Sequence, residues 1–168
     1  MKTLKIFKLL ILIFPVLYAC EKDEICLEEN TPKLIIRFYD VDEPEALKKV
    51  TQLAVRVDGV EEFYLDGSIS IATDSVAIPI RTEQDQTKIE LVLNGSDLDL
   101  DNDNSDFINL TYTREDEFVS RSCGYKTQFY DVNALIEPDD DNWVKNILTI
   151  EIPQNIIDEN NAHLKIYH

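Results

Sequence analysis

Short segments in which apolar and polar residues alternate constrain the fold of this chain more than any other feature. In residues 34–39, 89–93 and 145–152, every second side chain is apolar. A period of two places those side chains on one face of a β-strand. Turn signals bound the segments, such as the Asp-Gly pair at residues 58–59 and the Asn-Gly pair at residues 94–95. The pattern therefore predicts an all-β fold.

The spacing of these segments, about one in every ten residues, favours two packed sheets over alternating β and α units. We predict an antiparallel β-sandwich of about nine strands, with a small β-barrel as the alternative. One domain spans residues 33–168, and one helical turn is expected over residues 44–49. The predicted strands lie within residues 33–39, 53–57, 63–65, 68–72, 75–80, 89–93, 107–114, 117–123 with a continuation over 125–132 after Gly124, 145–152 and 162–168.

The amino-terminal residues have the layout of a secretory signal. Lys2, Lys5 and Lys8 precede an apolar run over residues 9–19, which stops at Cys20. As a helix the run is about 16 Å long, too short to remain across a hydrocarbon core of about 30 Å. Because the run ends at a cysteine, it resembles the lipobox of bacterial lipoproteins. That resemblance implies cleavage before Cys20 and acylation of Cys20, for example with palmitate.

The predicted organisation is a signal peptide over residues 1–19, a lipidated cysteine with a short tether over residues 20–32, and the β-domain. Residues 21–24 place a lysine before acidic residues, which resembles a surface-export signal of some Gram-negative bacteria. The chain is thus expected in the outer membrane, held by an N-terminal lipid anchor on the periplasmic or cell-surface face.

The remaining two cysteines predict a disulfide. The chain has three cysteines, and assigning Cys20 to lipid leaves Cys26 and Cys123 in an oxidising compartment. Their bond would close a loop of roughly 100 residues, for which chain entropy gives about 4.7 kcal/mol. The alternative is two free thiols, which would need a lowered thiol pKa and a nearby base. With Cys26 bound to the domain, residues 21–25 form a linker that spans at most about 17 Å.

An acidic loop over residues 96–106 is the candidate metal site. Asp99, Asp101 and Asp103 occupy alternate positions, like the first three ligands of an EF-hand calcium loop. The glycine and the bidentate glutamate of that loop are missing, so the candidate is a calcium site of another type. The alternative is a solvated loop, and the acidic run at residues 139–141 is a weaker candidate. No other cofactor is indicated.

Aromatic residues suggest a binding surface. Tyr112 and Tyr125 are predicted to lie on a sheet face that stacks on a sugar or holds a protein partner. The alternative places Phe118 and Phe129 in the core, with Trp143 covering an open edge of the sandwich.

Several functions are excluded or unsupported. A net charge of −17 opposes binding to nucleic acid or to an anionic membrane face through charge. His163 and His168 are five residues apart and fall on opposite faces of a strand, so they cannot share a zinc ion, and His168 is expected to be exposed. The isolated glycines build no phosphate-binding loop. We therefore predict no enzyme, and a hydrolase acting through its acids is the weakest alternative.

Residues 26–28, 31–40, 118–127 and 162–168 together resemble an uncharacterised family of short acidic bacterial lipoproteins. The resemblance covers nearly the whole mature chain and implies a class of protein without an activity. The predicted function is an exported, membrane-anchored lipoprotein that serves as a non-enzymatic binding or assembly module in the cell envelope. The alternative is a cell-surface accessory protein that binds a glycan or a calcium-dependent ligand.

Overall fold

The computed structural model describes residue 26 and residues 31–59, 72–95 and 100–168. The predicted signal peptide, Cys20, most of the tether and Asp99 lie outside these residues. The predicted strand over residues 63–65 and most of the one over residues 68–72 also lie outside them.

The described residues form ten β-strands, which confirms the all-β prediction. The strands are β1 (Leu34–Tyr39), β2 (Val50–Thr51), β3 (Ala54–Val57), β4 (Ala72–Thr73), β5 (Ser75–Ile78), β6 (Gln86–Leu93), β7 (Asn104–Ser120), β8 (Gly124–Ile136), β9 (Asn146–Thr149) and β10 (Leu164–Tyr167). A short 3-10 turn, Leu100–Asn102, precedes β7. In the part of the chain described here, no helix has the length and apolar character needed to cross a membrane.

The strands form two four-stranded sheets, ordered β5-β1-β10-β9 and β3-β6-β7-β8, and a small β2-β4 pair. The predicted sandwich is confirmed, and the described strands do not close into a barrel. One hydrophobic core collects the buried side chains of both large sheets. Its members include Leu34, Ile36, Phe38, Val55, Ile78, Ile89, Leu91, Ile108, Leu110, Phe129, Ile156, Leu164 and Ile166.

The pairing of the first and last strands departs from a purely antiparallel sandwich. β10 lies between β1 and β9, and it runs parallel to β1 with Phe38 opposite Ile166. The other pairs of the two large sheets are antiparallel. A parallel pair requires a crossover connection, and here the whole chain between β1 and β10 supplies it. Local alternation contains no information about this long-range pairing.

One predicted turn and one predicted strand end are wrong. Residues 44–49 form no helical turn, because Tyr39 makes an isolated bridge to Leu47 there. The predicted strand over residues 145–152 ends at Thr149, since the Gln154 side-chain oxygen accepts hydrogen bonds from the backbone N–H groups of Ile150 and Glu151, both at 3.0 Å. The chain turns away at this point.

Candidate functional site

The longest hairpin of the structure extends past the rest of its sheet. Pairing between β6 and β7 ends at Gln86 and Thr111, and from Thr113 onward β7 pairs with β8 alone. We call residues 113–130 the hairpin arm and residues 118–125 the arm tip. The sequence predicted two strands, over residues 107–114 and 117–123, where the structure has the single strand β7. The arm is the most prominent candidate for an interaction surface.

The turn at the arm tip is held by local hydrogen bonds and by a glycine. The Ser120 hydroxyl oxygen accepts a hydrogen bond from the Cys123 N–H at 3.1 Å. Gly124 has a φ of +75°, a left-handed conformation that glycine adopts without the steric penalty of a side chain. A Cβ atom at this position would meet no neighbour, so the backbone angle alone explains the glycine.

The predicted disulfide is confirmed and is located at this tip. Cys26 and Cys123 are bonded, with Cα atoms 4.9 Å apart, and they are 97 positions apart in the sequence. A second contact lies nearby, because Thr127 N–H donates a hydrogen bond to the Thr31 hydroxyl at 3.0 Å. The segment that leads into β1 is therefore attached to the arm at two points.

An exposed aromatic pair also occupies the arm tip. Phe118 and Tyr125 are opposite each other in the ladder, and their rings meet edge to face at 5.3 Å between centroids. Phe118 is 56% exposed and Tyr125 is 68% exposed. The alternative that placed Phe118 in the core is wrong for that residue, because the buried part of β7 ends at Tyr112 and Phe118 lies beyond it. It is right for Phe129, which is fully buried.

Tyr112 does not belong to this surface. Its ring is 5% exposed and packs against Phe129 at 5.1 Å, while its hydroxyl donates to the Arg81 carbonyl oxygen at 2.8 Å. A surface ligand cannot reach this ring, so the prediction of a tyrosine face shared with Tyr125 is wrong in its Tyr112 half. A sequence signal was present, since Tyr112 continues the period-two series of Ile108 and Leu110.

Trp143 and His168 are also packed more closely than the sequence indicated. Trp143 is 7% exposed, and its indole N–H donates to the Leu91 carbonyl oxygen at 3.3 Å. The His168 ring, expected to be exposed, packs edge-on against Trp143 and Phe38. Burial lowers the pKa of His168. His163 is buried as well, and its Nδ1 accepts a hydrogen bond from Ile35 N–H at 2.9 Å. Both histidine rings therefore contact groups of the folded domain.

The two acidic segments nominated for calcium approach each other. The Asn104 amide donates to the Asp141 carbonyl oxygen at 2.9 Å, which joins the start of β7 to the loop that follows β8. Asp101 and Asp103 are exposed, and Asp99 lies outside the described residues. Among the residues described, no three acidic, histidine or cysteine side chains form a group able to hold a metal ion. Calcium binding through Asp99, Asp101 and Asp103 stays a prediction.

Asp106 is a buried acidic residue whose position the sequence pattern predicted wrongly. It was assigned to the acidic loop, but it is the third residue of β7 and is fully buried. Its Oδ2 accepts a hydrogen bond from Val144 N–H at 2.6 Å. Burial raises the pKa of Asp106 above the usual 3.8, and the Val144 hydrogen bond only partly opposes this. Asp106 therefore fixes the loop after β8 to β7.

We expect Asp106→Asn to stabilise the domain at pH 7. Because folding raises the pKa of this carboxyl, its contribution to the free energy of unfolding is fully present below pH 3.8, where the group is protonated in both states. That contribution is lost as the pH rises through the folded pKa and the buried group becomes charged. The neutral amide keeps an oxygen for the Val144 N–H and carries no buried charge. Urea unfolding at pH 7 and pH 3.5 should show the gain at pH 7 and little or none at pH 3.5. Asp103→Asn, at an exposed position, is the control and should change stability by less than about 0.5 kcal/mol. A variant less stable than the parent at pH 7 contradicts the prediction.

Comparison with known proteins adds a family and no activity. Residues 52–168 match the model described as "Family of unknown function (DUF6452)", a range that includes the hairpin arm and every strand from β3 onward. No curated protein and no solved structure is significantly similar to this chain. The expected resemblance to a family of unknown function is confirmed, and the lipoprotein part of that expectation stays a prediction.

Proposed function

Because the chain belongs to DUF6452, a family of unknown function, we propose a function from the position of its disulfide. The protein is an exported lipoprotein, anchored to the outer membrane, whose domain serves as a non-enzymatic binding or assembly module of the cell envelope. The observation that carries the proposal is the Cys26–Cys123 bond, which attaches the segment after Cys20 to the arm tip.

The disulfide supports export. Such bonds persist in oxidising compartments and are rare where thioredoxin and glutathione keep thiols reduced. The charged start, apolar run and cysteine over residues 1–20 are the sequence features that direct a chain to such a compartment. Two independent features, one chemical and one in the sequence, therefore agree on an exported protein.

The disulfide also sets how the domain would be held. With Cys20 acylated and Cys26 bonded to Cys123, residues 21–25 are the chain between lipid and domain. Five residues span at most about 17 Å when fully extended. The arm tip would therefore stay close to the bilayer, with the sandwich behind it, which suits a module that acts at the membrane surface.

A non-enzymatic role is supported by what the buried polar groups contact. Asp106, His163 and Tyr112 are the conspicuous buried titratable side chains, and each is engaged by backbone groups of the fold. A glycan-binding or calcium-dependent accessory protein is the second candidate. Exposed Tyr125 is the observation that favours it, because an exposed ring can stack on a sugar.

We expect the full-length protein to incorporate a clickable palmitate analogue in a Gram-negative host, with Cys20→Ser abolishing the label. The wild type should sediment with the outer membrane, and the variant should shift out of that fraction by at least about tenfold. Cys123→Ser is the matched control, because it also replaces one cysteine by serine but leaves the acylation site. Undiminished labelling of Cys20→Ser, or a wild type absent from the membrane fraction, would contradict the anchor.

A further inference from the structure

We propose that the aromatic pair Phe118 and Tyr125 is a second membrane contact, which inserts into the lipid headgroup interface beside the anchor. This inference rests on the proposed anchoring of Cys20. It assigns a partner, a lipid surface, to the arm tip.

The pair exposes a large apolar area at a site that the fold does not require to be apolar. Phe118 and Tyr125 contact each other, yet more than half of each residue remains exposed to solvent. The two adjacent rings lie on one side of the β7–β8 ladder, and we call Phe118 and Tyr125 the aromatic wedge. Burying such rings elsewhere is favourable in proportion to the apolar area removed from water.

The charge around the wedge differs from that of the rest of the protein. The chain has a net charge of −17, yet residues 118–130 contain no aspartate or glutamate and include Arg121 and Lys126. Arg121 is exposed, while Lys126 is 3.1 Å from Glu117. The arm tip itself, residues 118–125, therefore carries one cationic and no anionic side chain, while the acidic residues 115–117 directly precede it in β7. Aromatic rings beside a cation are the composition enriched at membrane–water interfaces.

The disulfide places this wedge at the bilayer. Cys123 is two residues before Tyr125, and it is bonded to Cys26, which is six residues after Cys20. Residues 21–25 are a linker of at most about 17 Å, which gives the arm tip a high effective concentration at the lipid surface. A weak interfacial affinity of two rings is then sufficient for contact. A sugar or a soluble partner is not brought to this site by any described feature, so lipid is the occupant that we infer.

Lipid contact can be tested by fluorescence in the full-length protein. We compare Phe118→Trp with Ile152→Trp, since Ile152 is 95% exposed and lies after β9, outside the arm. Trp143 is buried and gives the same background in both variants. Each protein is reconstituted in vesicles of phosphatidylethanolamine and phosphatidylglycerol, with or without brominated acyl chains that quench tryptophan on contact.

We expect brominated lipid to quench Phe118→Trp at least about twofold and to leave Ile152→Trp nearly unchanged. Adding Arg121→Glu to Phe118→Trp should reduce the quenching in vesicles that contain phosphatidylglycerol. Equal quenching of both tryptophans, or quenching of neither, would overturn the proposal. A spectral shift of Phe118→Trp with envelope glycans but not with lipid would also overturn it and favour the sugar-binding alternative.

A separate readout distinguishes failure of the anchor from failure of the wedge. The intact mass of the purified protein reports whether Cys20 carries acyl chains. A chain without acyl groups refutes the proposed anchoring, whereas the quenching pattern on added vesicles still decides whether the arm tip contacts lipid.

Discussion

Deletion of residues 164–168 is expected to leave the domain largely unfolded. These residues include the whole of β10, which lies in the middle of its sheet between β1 and β9. Leu164 and Ile166 are fully buried in the core. Truncating one such side chain to alanine costs about 2–5 kcal/mol, and deletion also removes two strand ladders. Total stabilities of about 5–15 kcal/mol cannot absorb that loss.

The deletion is tested by circular dichroism melting and limited proteolysis beside the parent. The truncated chain should lack a cooperative transition and should be cleaved rapidly. Two point variants within β10 separate the contribution of the core from that of chain length. Leu164→Ala should lower stability by about 2–5 kcal/mol. Lys165→Ala, on the partly exposed side of the strand, removes only the contact of its ammonium with the Tyr39 ring at 4.9 Å and should lower stability by about 0.5–1 kcal/mol. A truncated chain that melts like the parent contradicts the central position of β10.

Reduction of the Cys26–Cys123 bond is expected to have the second largest effect. The bond joins residues 97 positions apart, and removing a cross-link of this span frees the unfolded chain by up to about 4.7 kcal/mol in the entropic model. A loss of about 2–5 kcal/mol corresponds to a fall in melting temperature of roughly 10 °C for a domain of this size. The loss acts mainly through the unfolded state, so the native sandwich should persist at low temperature.

Melting curves of the oxidised and reduced protein measure this loss. The double variant Cys26→Ser with Cys123→Ser is the control, because it should melt near the reduced protein and should not respond to reductant. Thiol titration of the unreduced protein should find neither cysteine free. Coincident melting curves for the oxidised and reduced forms would show that the bond contributes little to stability. Two titratable thiols would show that Cys26 is not bonded to the domain and would remove the basis for the short linker over residues 21–25.

The strands were predictable because each is a local pattern. The alternation at residues 34–39 and 89–93 is visible in any short window, and both segments became strands, with β6 beginning three residues before the predicted start. The disulfide was predictable because cysteine count and compartment leave one pairing once Cys20 is assigned to lipid. Neither inference required knowledge of which segments are neighbours in space.

The binding surface was predictable in part. Tyr125 is exposed, as a surface role requires, while Tyr112 is buried. The residues of β7 illustrate the reason, since Tyr112 and Phe118 belong to the same period-two series. The first is covered because it packs against Phe129 in the core, and the second is exposed because the buried part of β7 ends at Tyr112. Periodicity predicts which face of a strand a side chain lies on, but it does not predict where along the strand that face stops being buried.

The sequence by itself determined the all-β class, most strand positions and the cysteine pair. Only the tertiary structure decided the parallel pairing of β1 with β10, the burial of Asp106 and the place of the disulfide at the arm tip. The physical reason is the range of the interactions. Strand formation and turn chemistry depend on neighbours in sequence, whereas strand order and burial depend on residues far apart in the sequence, such as Asp106 and Val144 at 38 positions and the two cysteines at 97.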